Sequence, residues 1–109
     1  MSFTKTERKK LNSFQKAESY NILATNSHYL GSYDDALKYF LLAGKYAVSI
    51  NQKARAYYLT SAAYRSKAQQ REPSQQNKKN ALLFINKALE LVNDSRLTDK
   101  WRAKIFFNA

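Results

Sequence analysis

Residues 20–48 read YNILATNSHYLGSYDDALKYFLLAGKYAV, and Gly31–Ser32 near their middle separates two stretches with helical apolar spacing. Upstream, Leu11, Phe14, Ala17, Tyr20 or Leu23 or Ala24, Ser27 and Leu30 recur at steps of three and four. That spacing puts side chains on one helical face and predicts a helix over about 4–30. Gly31 stops it, because glycine accepts the left-handed backbone that ends helices. Ser32 with Asp35 three residues on resembles a capping box and opens a second helix. Ala36, Phe40, Ala43, Ala47 and Ile50 carry its stripe, giving a span of about 32–50. With so short a connection the two helices must fold back as an antiparallel hairpin.

Further along, Ala54, Tyr57 or Tyr58, Ser61, Tyr64 and Ala68 share a face of a third helix over about 52–70, stopped ahead of Pro73. Gln69 to Asn80 is polar and reads as an exposed loop. A fourth helix over about 76–92 shows one stripe of Leu82, Ile85, Leu89 and Val92 and a neighbouring one of Ala81, Phe84, Ala88 and Leu91. So wide an apolar face calls for burial on two sides. Asn93–Asp94–Ser95 breaks it, and Thr98–Asp99 opens a last helix over about 98–107 bearing Trp101, Ile105 and Phe106. The expected class is all-α, with about five helices in antiparallel hairpins. Two Gly and one Pro are too few for the turns of a β sandwich or barrel. At 109 residues and 44% hydrophobic, the chain is expected to form a single helical domain, 1–109.

The order aromatic, Leu, small, Gly, Tyr, Ala, aromatic, Ala falls on Tyr20, Leu23, Ala24, Gly31, Tyr33, Ala36, Phe40 and Ala43. This resembles a tetratricopeptide repeat (TPR). The resemblance implies that Ala24 and Ala36 form a close helix contact and that Ala43 receives the next helix. Ser27 stands where that family favours an aromatic, and Val48 where it favours proline. The hairpin with the helix after it is also similar to a microtubule-interacting-and-trafficking (MIT) domain, a three-helix bundle whose second helix opens with the same Gly–x–Tyr–x–x–Ala. Residues 81–107 exceed such a bundle, which favours the repeat. Within the trafficking family, the N-terminal domains of autophagy lipid-kinase subunits are the nearest likeness.

Nineteen Lys and Arg against eight Asp and Glu leave a charge of +11, which favours acidic proteins, nucleic acid or anionic lipid as partners. Lys5, Arg8, Lys9, Lys10 and Lys16 are the densest group, with Lys78–Lys79 expected in a loop and Lys100, Arg102 and Lys104 near the end. Zero Cys removes disulfides and thiol nucleophiles and suits a reducing compartment. The polar first twenty residues are unlike a secretory signal. No stretch approaches the roughly 18 apolar residues of a membrane span, and Ser2 stands where myristoylation needs glycine. A soluble cytoplasmic protein is expected, with the nucleus as the alternative.

Catalysis has little to stand on. His28 has no evident nucleophile or orienting group, Asp34–Asp35 suits a helix N-terminus better than a metal, and there is no phosphate loop. Asn93–Asp94–Ser95 matches a glycosylation acceptor, which means little without a secretory signal. No enzyme, cofactor or metal site is expected. The expected function is a protein interaction module, an adaptor or scaffold. It would bind a partner helix or peptide, acidic by charge, in a groove between helices lined by Tyr20, Asn21, Ser27, Lys45, Tyr57 and Arg65. An MIT domain of a trafficking or autophagy complex is one alternative, and a basic domain touching nucleic acid or anionic membrane another. Ile105–Phe106–Phe107 would leave an apolar end uncovered, so the chain is expected to be part of a longer protein whose remainder packs there.

Overall fold

The computed structural model describes residues 4–70 and 74–108, and these hold five α-helices and no strand. They are α1 (Lys5–Tyr29), α2 (Tyr33–Tyr46), α3 (Ile50–Gln70), α4 (Gln75–Leu89) and α5 (Asp99–Asn108). α1 packs on α2 and α3 on α4 as hairpins, α2 packs on α3, and α5 lies across α3 and α4. Pro73, expected to stop α3, falls in residues 71–73, outside the described residues.

The first hairpin turns as its glycine requires. Gly31 has φ +81°, the Ser32 N–H donates to the Ser27 carbonyl at 2.9 Å, and the Gly31 N–H donates to the His28 carbonyl at 3.0 Å. Together these bonds form a Schellman motif, satisfying carbonyls that α1 would otherwise leave unpaired. At the other end, the Glu7 N–H donates to the Thr4 hydroxyl at 3.2 Å, which caps α1.

Three boundaries differ from the sequence reading. Ser32 makes no side-chain cap, so the expected box with Asp35 is not formed, although its carbonyl still accepts the Ala36 N–H. α2 ends at Tyr46 rather than near residue 50, because Ser49 and Gln52 make a capping box of their own. The Gln52 N–H donates to the Ser49 hydroxyl at 3.0 Å, and the Val48 N–H donates to Gln52 Oε1 at 3.0 Å. Ile50 is thereby the first residue of α3. Finally, α4 starts at Gln75, as the span of about 76–92 expects, so the polar residues 75–80 that also read as loop are helical, with Lys78 and Lys79 on them. α4 itself ends at Leu89, and residues 90–92 continue as turns.

The interior is built mainly from alanine. Ala17, Ala24, Ala36, Ala43, Ala54, Ala56, Ala63, Ala81 and Ala88 are all buried, whereas Leu11, Phe14, Leu23, Leu30 and Leu82, expected on inward stripes, are exposed. Small side chains bring helix axes close together, leaving the larger residues of α1 at the margins. One cluster joins Ala24, Ala36, Leu37, Phe40 and Ala63, so the expected Ala24–Ala36 contact lies in a shared core. A second cluster joins Ala54, Ile85, Ala88, Val92, Leu97 and Ile105, with Tyr58 and Trp101 against it. The Ser61 hydroxyl donates to the Ala81 carbonyl at 2.8 Å, closing α3 on α4.

Arg102 belongs to the framework rather than to a basic tail. Its guanidinium donates to the carbonyls of Val92 (2.8 Å), Asp94 (3.0 Å) and Leu97 (3.2 Å) and to Asp99 (2.6 Å). Asn51 holds the same loop from α3, accepting the Thr98 N–H at 2.9 Å and donating to the Arg96 carbonyl at 3.2 Å. Within the loop Arg96 bonds Asp94 and holds its carboxyl at about 2.

Two outcomes are expected. Gly31→Ala meets no steric obstacle, since an added Cβ has nothing within 4 Å, so its cost is the left-handed backbone alone. That is about 1–2 kcal/mol, a drop in Tm on the order of 4–8 °C by differential scanning calorimetry. A chain ending near Arg71 loses the partners of Ala54 and Ser61, and should show no cooperative melting transition by circular dichroism.

Candidate functional site

Where α2 and α4 diverge over α3, they leave a cleft of about 240 Å³ lined by Phe40, Leu41, Gly44, Lys45, Ala56, Tyr57, Thr60 and Phe84. Gly44 and Ala56 allow the close approach at its floor, since a Cβ on Gly44 would lie 3.5 Å from that of Ala56. A second cleft of about 380 Å³ adjoins it, lined by Lys53, Tyr57, Leu83, Asn86, Lys87, Glu90 and Leu91. Tyr57 is common to both. It packs against Phe84, whose ring stacks on Tyr64 at a centroid separation of 5.8 Å with a 20° interplanar angle. Lys87 Nζ lies 5.8 Å from the Tyr57 ring centroid and 5.4 Å from that of Phe84. Together the two clefts have an aromatic and small-residue floor, exposed Leu41 and Leu83 at their edges, and Lys45, Lys53 and Lys87 around them. Glu90 is the carboxylate among their lining residues.

Of the six residues expected to line a groove, Lys45 and Tyr57 meet here. Tyr20 lies on the opposite side of α2, stacked between Tyr39 and Tyr46. Asn21 is half-buried on α1, Ser27 contributes its carbonyl to the hairpin turn, and Arg65 is exposed on α3. None of these four lines the groove. Lys53, Phe84 and Lys87 were missed, because the groove forms between helices that are distant in sequence. The one available signal was that Lys53 precedes Tyr57, and Phe84 precedes Lys87, at helical spacing.

His28 is a tether between helices. Its Nε2 lies 3.0 Å from the Ser66 hydroxyl of α3, and its ring meets Tyr33 and Phe40 edge-on at 5.3 and 6.3 Å. Nucleophilic use of that Ser–His pair would require a third group orienting the imidazole, and aromatic rings do not supply one. A polar hollow of about 350 Å³ at the hairpin tip is spanned by the Lys67–Asp34 ion pair at 2.6 Å. Among the described residues no group of three His, Cys, Asp or Glu side chains could hold a metal ion, and no helix is long and apolar enough to cross a membrane.

No family model, curated protein or solved structure matches the chain.

The surroundings of His28 generate a pH dependence. Burial disfavours the imidazolium and lowers its pKa from the usual 6.5. On acidification the unfolded chain therefore takes up this proton first. The stability His28 provides is present above about 6.5 and is lost as pH falls toward the folded value. Glu18 is also lowered, chiefly by its hydrogen bonds from Arg55, so its contribution fades only below the usual 4.5. Between pH 7 and 5 the Tm of the wild-type chain should therefore fall, and His28→Gln should flatten that slope when melting is followed by circular dichroism.

Proposed function

We propose that this chain is a non-catalytic interaction module, an adaptor or scaffold domain, that seats an acidic amphipathic helix of a partner protein in the groove between α2, α3 and α4. The observation that carries this reading is the pair of adjoining clefts sharing Tyr57, apolar below and bordered by three lysines. An amphipathic helix would place leucine-type side chains against Phe40, Tyr57 and Phe84, and its carboxylates would face Lys45, Lys53 and Lys87. Desolvated aromatic anchors supply most of the affinity in such grooves, while exposed charges select the partner and speed the encounter.

Within that class we favour a tetratricopeptide-like pair of hairpins capped by α5. The support is a second hairpin and a fifth helix packed on the same α3, together with Ala24 and Ala36 in one cluster. A microtubule-interacting-and-trafficking bundle would need only the first three helices, so a folded fragment ending near Arg71 would favour that assignment instead.

A fluorescein-labelled peptide helix with leucines at positions i, i+3, i+4 and i+7 and glutamates elsewhere tests the proposal by anisotropy. Saturable binding is expected, with Tyr57→Ala weakening it about tenfold or more and Lys87→Glu weakening it most at low salt. The lysine-substituted peptide of the same pattern should not bind. Equal affinity of both variants and wild type for the acidic peptide would move the binding site elsewhere.

A further inference from the structure

We propose that the outer face of the α1–α2 hairpin, opposite the groove, docks on anionic lipid headgroups. Lys5, Lys9 and Lys16 are exposed and stand four and seven residues apart, spacings that return to one side of α1. Tyr20, Leu23 and Leu30 continue the same stripe at steps of four, three and seven. α2 widens it. Tyr20 stacks on Tyr39 and Tyr46 at centroid distances of 6.1 and 5.9 Å. Lys38 Nζ lies 5.6 Å from the Tyr39 ring centroid, and Lys16 and Lys45 lie 5.1 and 5.6 Å from that of Tyr46.

Three of the four acidic residues of these two helices are engaged by other side chains. Glu18 is turned to Arg55 of α3, Glu7 is bonded to the Thr4 side chain, and Asp34 pairs with Lys67. Asp35, one turn before Tyr39, is on the same side of α2 and is the one exposed carboxylate that this face carries beside its lysines.

Each component suits a lipid headgroup layer. The lysines present a row of cations to the negative surface potential of an anionic leaflet, which attracts each nearby Lys or Arg. Tyrosines place an apolar ring and a polar hydroxyl at the boundary between acyl chain and headgroup. Leu23 and Leu30, 46% and 79% exposed, supply apolar side chains that gain from leaving water. Single-stranded nucleic acid fits less well. Bases need open ring faces to stack on, whereas Tyr20 lies between two rings and Tyr39 and Tyr46 are covered by lysines. A phosphate backbone would also gain nothing from the two leucines.

The test is co-sedimentation of the full chain with phosphatidylcholine vesicles containing 30% phosphatidylserine, against vesicles of phosphatidylcholine alone, using Lys9→Gln/Lys16→Gln and Leu23→Ser/Leu30→Ser double variants. Lys45 borders both faces and is left unchanged, so acidic-peptide binding by the same variants should match wild type and keeps failure of this proposal distinct from failure of the groove. Wild type should pellet with the serine-containing vesicles only. The lysine variant should lower the partition coefficient about tenfold or more, and the leucine variant should lower it at high as well as low salt. All positions changed are exposed, and unaltered helical circular dichroism verifies that the variants fold. Equal partition to both vesicle types, or lysine variants that bind like wild type, would overturn the proposal. Binding of a thymidine 20-mer that the leucine changes do not affect, without vesicle binding, would overturn it in favour of nucleic acid.

Discussion

The side-chain amide of Gln52 has two donor hydrogens and one acceptor oxygen, and every one is used although the residue is only 3% exposed. Its Nε2 donates to the Phe14 carbonyl at 3.1 Å and to Glu18 Oε1 at 2.9 Å, while its Oε1 accepts the N–H groups of Val48 and Ser49. One side chain thus holds a carbonyl in the middle of α1, the turn that ends α2 and the first turn of α3. Glu18 in turn receives both terminal nitrogens of Arg55 at 2.8 and 3.1 Å, so the carboxylate brought near the amide stays charged and paired. Replacing either partner alone would leave polar groups buried without bonds, which costs more than a hydrogen bond contributes. The position of α1 along α3 follows from this cluster, and the His28–Ser66 bond joins the same two helices about three to four turns further on.

The alanine interior has its own consequence for shape. Helices that touch through Ala24, Ala36, Ala43, Ala56 and Ala63 form a slab rather than a ball, with principal extents of 54, 29 and 19 Å. A slab of this thickness buries few large side chains, Phe40 and Ile105 among them. Many of its leucines and tyrosines instead line clefts and outer faces, so a chain with so small-residue a core offers two surfaces of aromatic and aliphatic groups.

Helix number and the glycine-ended hairpin were legible in the sequence, because they rest on local signals: periodic apolar residues and Gly31. The stripes misled at Leu11, Phe14, Leu23 and Leu82. Periodicity marks a face without telling whether the large or the small residues on it make the contact, and here the alanines do. The end of α2 was misplaced because Ile50 continued its apolar period, and the Ser49-x-x-Gln52 cap that overrides it went unread. Of the residues lining the clefts, Lys45 and Tyr57 were among the six named from the sequence. Their neighbours Phe84 and Lys87 come from a helix some thirty residues away, and nothing local announces that meeting. Arg102 misled in the opposite sense, since charge counting cannot distinguish a guanidinium facing water from one holding three carbonyls.

That last distinction separates the two kinds of cation in this protein. Arg55, Arg96 and Arg102 are bound to carboxylates and backbone oxygens, and a planar fork of donors is what such fixed geometry needs. Lys16, Lys38, Lys45, Lys87, Lys100 and Lys104 instead rest against tyrosine, phenylalanine and tryptophan rings with their ammonium groups near the surface. Lysine acetylation removes the charge of a side chain while leaving its aliphatic stem in place. In this chain such a modification would lower the outward positive potential one residue at a time and leave untouched the arginine bonds that hold α3 to α1 and α5 to the loop before it.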